Sequence, residues 1–243
     1  MTVGVVGLGR FGRLWAEILQ SQASVLAWSR SGTRVPGVQI APLSEVCRCD
    51  TVFLCTAIGA TADVTARIAP LLGPTTVVAD TASVKVWPMS QLERRLAPDT
   101  AFFGTHPMFG PDSWGSGDRP TIALCPGRND SEVRAEWSER FAQLGMEVLP
   151  LSAEEHDRQA AASQGITHFI GRMLDAVDAR PSPLATHGYR RLLDVRQQTC
   201  NDTDRLFHDL LRYNPYAKRA VDALLEAAST LHADVFDSEH RSP

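Results

Sequence analysis

Gly7-Leu8-Gly9-Arg10-Phe11-Gly12 directly follows the apolar run Val3-Gly4-Val5-Val6 at the head of a 243-residue chain. Three glycines at this spacing, between a strand pattern and an amphipathic helix pattern, leave few folds open. The first glycine allows a tight turn, the second lets backbone amides approach a pyrophosphate, and the third lets helix and strand pack closely. The helix N-terminus then favours negative charge. The expectation is a dinucleotide site built on Gly7, Leu8, Gly9, Arg10, Phe11 and Gly12. Thr56 and Ala57, just past the apolar run Thr51 to Cys55, are assigned to the same cofactor.

Downstream, short apolar runs alternate with amphipathic segments, the pattern of βαβ units and a parallel sheet. Strands are expected at Val3 to Val6, Ser24 to Trp28, Thr51 to Cys55, Thr76 to Ala79, Ala101 to Gly104 and Thr121 to Leu124. Helices are expected at Gly12 to Gln20, Thr61 to Leu72 and Val86 to Leu96, and an edge strand at Met146 to Leu149. After Leu151 the strand signal ends. Ser152, with Glu155 three residues on, reads as a helix N-cap. Helices follow at Asp157 to Asp178, Leu184 to Cys200, Asp202 to Tyr213 and Ala217 to Leu231, with a break at Arg180-Pro181-Ser182-Pro183. Residues 234–243 read as a polar, frayed tail. The fold class is therefore α/β: a Rossmann-type, doubly wound, mainly parallel sheet over residues 1–150, then an all-helical domain over residues 151–243.

Composition excludes several roles. The net charge of -4, with no long basic run, argues against nucleic acid and anionic membrane. No segment approaches the ~20 apolar residues of a membrane span. The strand pattern begins straight after Met1, which leaves no room for a signal peptide. Five cysteines with no ligand spacing read as thiols in a reducing cytoplasm, with no metal site. Leu192, Leu193, Leu206, Phe207, Leu210 and Leu211 are more apolar side chains than ~90 helical residues bury alone. A homodimer through the helical domain is expected, with the active site near the domain junction.

The cofactor's identity turns on the end of the second strand. An NAD site places a carboxylate there for the ribose hydroxyl. Here the strand runs into Ser29-Arg30-Ser31. Arg30 can pair with a 2′-phosphate, and both serines can donate to it. NADP is the expected cofactor, with NAD possible, although a solvated loop arginine also fits.

Two further segments carry chemistry. Asp80-Thr81-Ala82-Ser83-Val84-Lys85 follows one strand, so Ser83 stands where doubly wound sheets bind ligands. Ser83 or Thr81 can equally cap the helix starting near Val86. Lys85 reads by default as a surface lysine, alternatively as a cation for the substrate. Gly104-Thr105-His106-Pro107-Met108-Phe109-Gly110-Pro111-Asp112 places His106 just past the next strand, between a rigid proline and turn residues. A histidine titrating near ~6.5 can take a proton at physiological pH. His156, in Glu154-Glu155-His156-Asp157, reads as a solvated first turn, a packing residue or a functional one. His156 and His168 are too far apart along a helix to share a metal.

With those residues in view, the chain resembles the prephenate/arogenate (cyclohexadienyl) dehydrogenases. The matching pieces are Gly7 to Gly12, DTASVK at 80–85, HPMFGPD at 106–112, Glu155-His156-Asp157, and Gln164 with Thr167-His168-Phe169. Thr186 to Tyr189, Asp202 to Phe207 and Tyr213-Asn214 look most like the plant-type, NADP-using arogenate branch. The resemblance implies oxidative decarboxylation of a cyclohexadienol, arogenate or prephenate, in tyrosine biosynthesis. It implies that His106 accepts the hydroxyl proton and that Ser83 hydrogen-bonds the hydroxyl or orients His106. It further implies that Gln164 and His168 position the substrate and that an arginine of the helical domain grips a carboxylate. Arg190, Arg191, Arg196, Arg205 and Arg212 lie there, and Arg196 and Arg205 are the named candidates. Asp112 and Asp204 are possible contacts for a substrate amine. The alternatives are an amino-deoxyprephenate dehydrogenase and a non-catalytic NADPH-binding protein. A β-hydroxyacid dehydrogenase is disfavoured, because its helical-domain lysine has only the late Lys218 to match it.

Overall fold

The opening apolar run becomes β1 (Thr2–Val6), a strand buried over its last four residues, and the glycine turn leads into α1 (Arg10–Leu19). A computed structural model of the chain describes residues 1–117 and 119–237. It comprises two compact units, Met1–His156 and Asp157–Pro243.

The first unit continues with β2 (Ser24–Trp28), β3 (Gln39–Ile40), α2 (Leu43–Val46), β4 (Thr51–Leu54) and α3 (Thr61–Ile68). Then come β5 (Val77–Asp80), α4 (Val86–Arg95), β6 (Phe102–Pro107), β7 (Thr121–Arg128), α5 (Ser131–Gln143) and β8 (Glu147–Pro150). The eight strands lie in the order β3-β2-β1-β4-β5-β6-β7-β8, which puts β8 at an edge. All neighbours are parallel except β6 and β7. Strand order reverses on either side of β1, the switch point where open α/β sheets bind ligands.

Alternate residues of each strand feed two cores, one on each sheet face. On one face Val3, Val5 and Phe53 meet Trp15 of α1 and Trp137 and Phe141 of α5. The Phe53 ring stands edge-on to Trp137, centroids 4.8 Å apart, and Trp137 Nε1 donates to Thr51 Oγ1 at 3.0 Å. On the other face Val6, Val52, Leu54 and Val78 meet Ile68 of α3 and Leu92 of α4.

Several boundaries differ from expectation. Thr61 to Leu72 is α3 followed by a 3-10 turn at Ala69–Leu71. α5 was not anticipated, because its apolar stripe is only Val133, Trp137 and Phe141, one residue per turn amid charged neighbours. β3 and α2 are too short to carry a period. The largest change is at β6, which runs on through His106 and Pro107 because antiparallel β7 continues beside it after β5 ends. Pro107 is tolerated in the ladder because Met108 and its alternates donate toward β7, so the missing donor of Pro107 lies on the side β5 has vacated.

The ends of β5 and β6 are clamped together by buried polar groups. Lys85, fully buried, donates from Nζ to the Asp80 carboxylate and to the Thr105 carbonyl. Thr105 Oγ1 donates to the Asp80 carbonyl at 2.7 Å, and the Ala82 amide donates to Asp80 Oδ1 at 2.8 Å. Lys85 is therefore neither a surface lysine nor a cation left over for a substrate. Complete burial raises the Asp80 carboxyl, against the opposing pull of Lys85 and the Ala82 amide.

Ser152 Oγ accepts from the Glu155 amide at 3.1 Å and starts α6 (Ala153–Ala160), which runs through a π turn at Ala161–Gly165 into α7 (Ile166–Ala176). The expected helix from Asp157 to Asp178 is thus interrupted by a wide turn. Thr186 and Thr203 cap α8 (His187–Cys200) and α9 (Asp204–Arg212) from their side chains. α7 and α8 approach so closely that a Cβ on Gly171 would fall 1.9 Å from Thr199 Oγ1. α10 (Ala217–Phe236) extends past Leu231 into the stretch expected to fray, and residues 238–243 lie outside those described.

Replacing Lys85 by methionine leaves the buried Asp80 carboxylate without its charged partner. Denaturant unfolding of Lys85→Met should show a loss of about 3–5 kcal/mol, while Asp80→Asn/Lys85→Met should recover part of it. An unchanged midpoint for the single variant would show that the clamp carries no stability.

Candidate active site

The glycine turn has the shape its spacing demands. Gly7 has φ +104°, and a Cβ there would lie 2.4 Å from the Cys55 carbonyl oxygen. A Cβ on Gly12 would lie 2.0 Å from the Gly7 carbonyl oxygen, so the strand end and α1 touch through hydrogen alone. At Gly9 a Cβ would meet nothing within 4 Å. Gly9 is the N-cap of α1, no side chain caps that helix, and its first turn holds no acidic residue. The open space beside Gly9 and the uncapped amides fit a pyrophosphate. Thr56 is half-buried against Gly7, and Ala57 starts a 3-10 turn at Ile58–Ala60.

At the end of β2, Ser29 Oγ, Ser31 Oγ and Thr33 Oγ1 form a chain of hydroxyls with spacings of 2.8 and 2.7 Å. Arg30 is exposed and makes no ion pair among the described residues. A cation not anticipated from sequence also sits here. The Arg67 guanidinium lies 4.7 Å from the Trp28 ring centroid.

The Arg10 side chain is held elsewhere: its Nη2 reaches both oxygens of Asp112 at 2.9 and 2.8 Å. It is the backbone of Arg10, in the first turn of α1, that can face a phosphate. The ion pair also ties the glycine turn to the segment after β6, where Phe109 packs against Trp15 with ring centroids 6.4 Å apart. Asp112 is therefore committed to Arg10 rather than free for a substrate amine.

His106 is a strand residue, paired across the ladder with Ala123 and two residues beyond the last register pair with β5, Asp80 with Gly104. It is only 3% exposed. Its ring partner is His156: His106 Nδ1 and His156 Nε2 are 2.8 Å apart, and the ring planes cross at 66°. His156 is equally buried, so the solvated first turn is overturned. Burial first, then the charges of His156 and Lys85, hold His106 well below the ordinary 6.5, so it stands neutral and basic at neutral pH.

Ser83 is half-buried and shows no side-chain hydrogen bond among the described residues, so it does not orient His106 here. Nor does it cap α4, whose N-cap is Lys85, while Thr81 Oγ1 donates to the Leu54 carbonyl at 2.8 Å. The Ser83 hydroxyl is thereby left for a ligand.

In the second unit, Gln164, His168 and Arg172 recur at four-residue spacing along one helical face. Gln164 Oε1, His168 Nδ1 and Arg172 Nε are all buried without a hydrogen-bond partner. His168 Nε2 lies 4.0 Å from Asp202, and burial lowers its pKa with Asp202 opposing. Arg172 reaches Asp204 at 2.6 Å and the Asp202 carbonyl at 2.8 Å. Arg172 was missed from sequence, although the spacing from His168 was a usable signal. The two named arginines are paired as well. Arg196 is spent on Asp175 and the Ala179 carbonyl, and Arg205 is exposed with Asp209 at 3.7 Å. Among the described residues, no group of three or more His, Cys, Asp or Glu could hold a metal ion, and no helix is long and apolar enough to cross a membrane.

Comparison with known proteins gives the chain's relatives. Residues 35–132 match the family described as prephenate dehydrogenase, nucleotide-binding domain, and residues 173–243 match the TYRAAT1-like C-terminal domain. The chain is 31% identical over 258 residues to arogenate dehydrogenase 1, chloroplastic, of Arabidopsis thaliana, covering 99% of this chain but only 40% of that protein. It is 30% identical over 259 residues to arogenate dehydrogenase 2, chloroplastic, of the same plant, covering 99% of this chain and 72% of that protein. In fold it is similar to the crystal structure of prephenate dehydrogenase from A. aeolicus in complex with hydroxyphenyl propionate and NAD+. The TM-score is 0.75 at 17% identity, over 99% of this chain and 92% of that one. With its glycine turn, its strand-borne histidine and these relatives, the chain belongs to the prephenate/arogenate dehydrogenase family of NAD(P)-dependent oxidoreductases, on the plant-type branch.

Proposed function

We propose that this chain catalyses the NADP-dependent oxidative decarboxylation of a cyclohexadienol, arogenate or prephenate. The observation that carries the reading is the neutral, buried His106 at the carboxyl end of the parallel strands, in the same unit as the glycine turn. NADP, when bound, supplies hydride acceptance. His106 takes the substrate's hydroxyl proton as the carbon beneath it loses hydride. Ser83, with an uncommitted hydroxyl, hydrogen-bonds that same oxygen. Gln164 and His168 contact the substrate, and an arginine of the helical domain supplies positive charge for a carboxylate; Arg172 joins Arg196 and Arg205 as a candidate because its Nε is buried with no hydrogen-bond partner. Nucleotide binding belongs to residues 1–150, together with the substrate contacts of Ser83 and His106, and the remaining substrate contacts and the dimer contacts to residues 151–243.

Arg30, Ser29 and Ser31 support NADP over NAD, since no carboxylate stands at the end of β2 to hold a ribose hydroxyl. Five free cysteines support a reducing compartment, the cytoplasm. A homodimer through the helical domain is supported by exposed apolar side chains. Of the expected residues, Leu192 is exposed, Leu193, Leu206, Phe207 and Leu211 are partly covered and Leu210 is buried, and Leu225, Leu231, Val235 and Phe236 of α10 are exposed as well.

Reduction of NADP+ in the presence of arogenate and of prephenate, followed with carbon dioxide release, tests the reaction directly. His106→Asn should lower kcat by about 10²–10⁴-fold with NADP+ affinity intact, and full turnover in that variant would refute the assignment. Ser83→Ala should lose less, about 10-fold to 10²-fold.

Arg30→Ala should weaken NADP+ binding about tenfold while leaving NAD+ binding unchanged. Equal affinities of wild type and variant in calorimetry would remove Arg30 from the phosphate site.

Sedimentation at micromolar concentration should show a dimer, converted toward monomer by Leu231→Glu/Phe236→Glu on α10. A wild-type monomer would refute the assembly.

A further inference from the structure

The hydrogen bond between His106 Nδ1 and His156 Nε2 has two neutral forms, because one proton lies between two imidazole nitrogens. In one form His106 donates and its own Nε2 keeps a lone pair. In the other His156 donates, and the proton of His106 sits on Nε2. Only the first leaves a base on the side of the His106 ring turned away from His156. We infer that His156 is a positioning residue for the proposed reaction: by accepting from His106 Nδ1 it fixes the tautomer in which His106 Nε2 is free to take the substrate's hydroxyl proton. The inference rests on the reading of His106 as the proton acceptor. In the step, the substrate O–H bond breaks and an N–H bond forms at His106 Nε2. The Nδ1–H···Nε2 bond to His156 persists, so the new positive charge is shared with a second ring.

The surroundings fit this role. Both rings are buried, so water does not compete for the shared proton. The charged groups facing the pair from other elements are Asp80 at the end of β5 and Lys85 before α4, while Glu155 and Asp157 flank His156 on α6. Asp80 supplies the negative charge that opposes the imidazolium, and Lys85 restrains its formation until a substrate proton arrives.

The geometry also dictates a titration. One added proton fills the Nε2 of His106 and the Nδ1 of His156 together, whichever ring bears the charge. A single protonation of the pair therefore silences the base, and the apparent pKa belongs to the pair. Because burial and neighbouring charge lower His106, activity should persist below the ordinary 6.5 and fall along a one-proton limb at more acid pH.

Three variants and one spectrum test the inference. His156→Gln keeps an acceptor for Nδ1–H but does not titrate. Its kcat should stay within about tenfold of wild type, and its acid limb should move to lower pH, since the second ring that shares the added positive charge is gone. His156→Leu removes the acceptor. Its kcat should fall by about 10-fold to 10²-fold, with KM for the substrate and affinity for NADP+ little changed. His106→Asn/His156→Leu should be no worse than His106→Asn alone. In the wild-type protein, nitrogen-15 shifts should show His106 protonated at Nδ1 and unprotonated at Nε2. The opposite tautomer would overturn the inference even if no substrate turned over, which separates its failure from that of the proposed reaction. It is equally overturned if His156→Leu keeps full kcat, or if both single variants lose stability and activity alike without moving the acid limb.

Discussion

A lysine buried in an α/β sheet has to find its charge partner and its hydrogen bonds inside the protein. Lys85 does so at the one place where two adjacent strands present free groups, the ends of β5 and β6. Its ammonium joins the Asp80 side chain to the Thr105 carbonyl, and the next residue after Thr105 is His106. The position of the histidine is thus inherited from a buried charge rather than from a loop. The same cluster accounts for the run DTASVK as a structural unit. Asp80 ends the strand, its side chain holds the turn through the Ala82 amide, and Lys85 closes the circuit five residues on.

Electrostatics sets the character of the site. A lone buried histidine near a lysine is driven neutral, which suits a base but gives no reason for one nitrogen to be basic rather than the other. The second imidazole supplies that reason. At the other end of the sheet's binding edge, the glycine turn offers backbone amides in place of side chains, with the Arg10 side chain drawn off to Asp112. In the proposed reaction one part of the unit receives a proton and the other holds a phosphorylated ligand.

Much of this was legible in the residues. The glycine spacing, the strand alternation and the helical second half follow from local rules, and the observed glycine contacts are those the spacing demands. What was not legible depended on long-range pairing. Four letters past an apolar run do not tell that β7 will extend β6 through a proline. A lysine after a turn looks solvated until a carbonyl from a neighbouring strand is placed over it. His156 sat amid carboxylates at a helix start, where solvent exposure is the ordinary outcome, and only the fold brings it to within 2.8 Å of a residue fifty positions earlier. Arg172 was passed over for arginines nearer the resemblance, although its place two turns from Gln164 on the same face was visible. The engagement of Arg196 with Asp175 is likewise something no spacing reveals.

That His106 belongs to a strand has a consequence for how such a protein can change over time. A base on a loop drifts whenever the loop is lengthened or recomposed. A base locked into a ladder, with paired backbone on one side and a buried salt link beneath the preceding residue, is a fixed point. Substitutions elsewhere can then alter which molecule is admitted without disturbing the nitrogen that reacts. New specificities would accumulate around an unmoving chemical step, and the ladder would be the last part to vary.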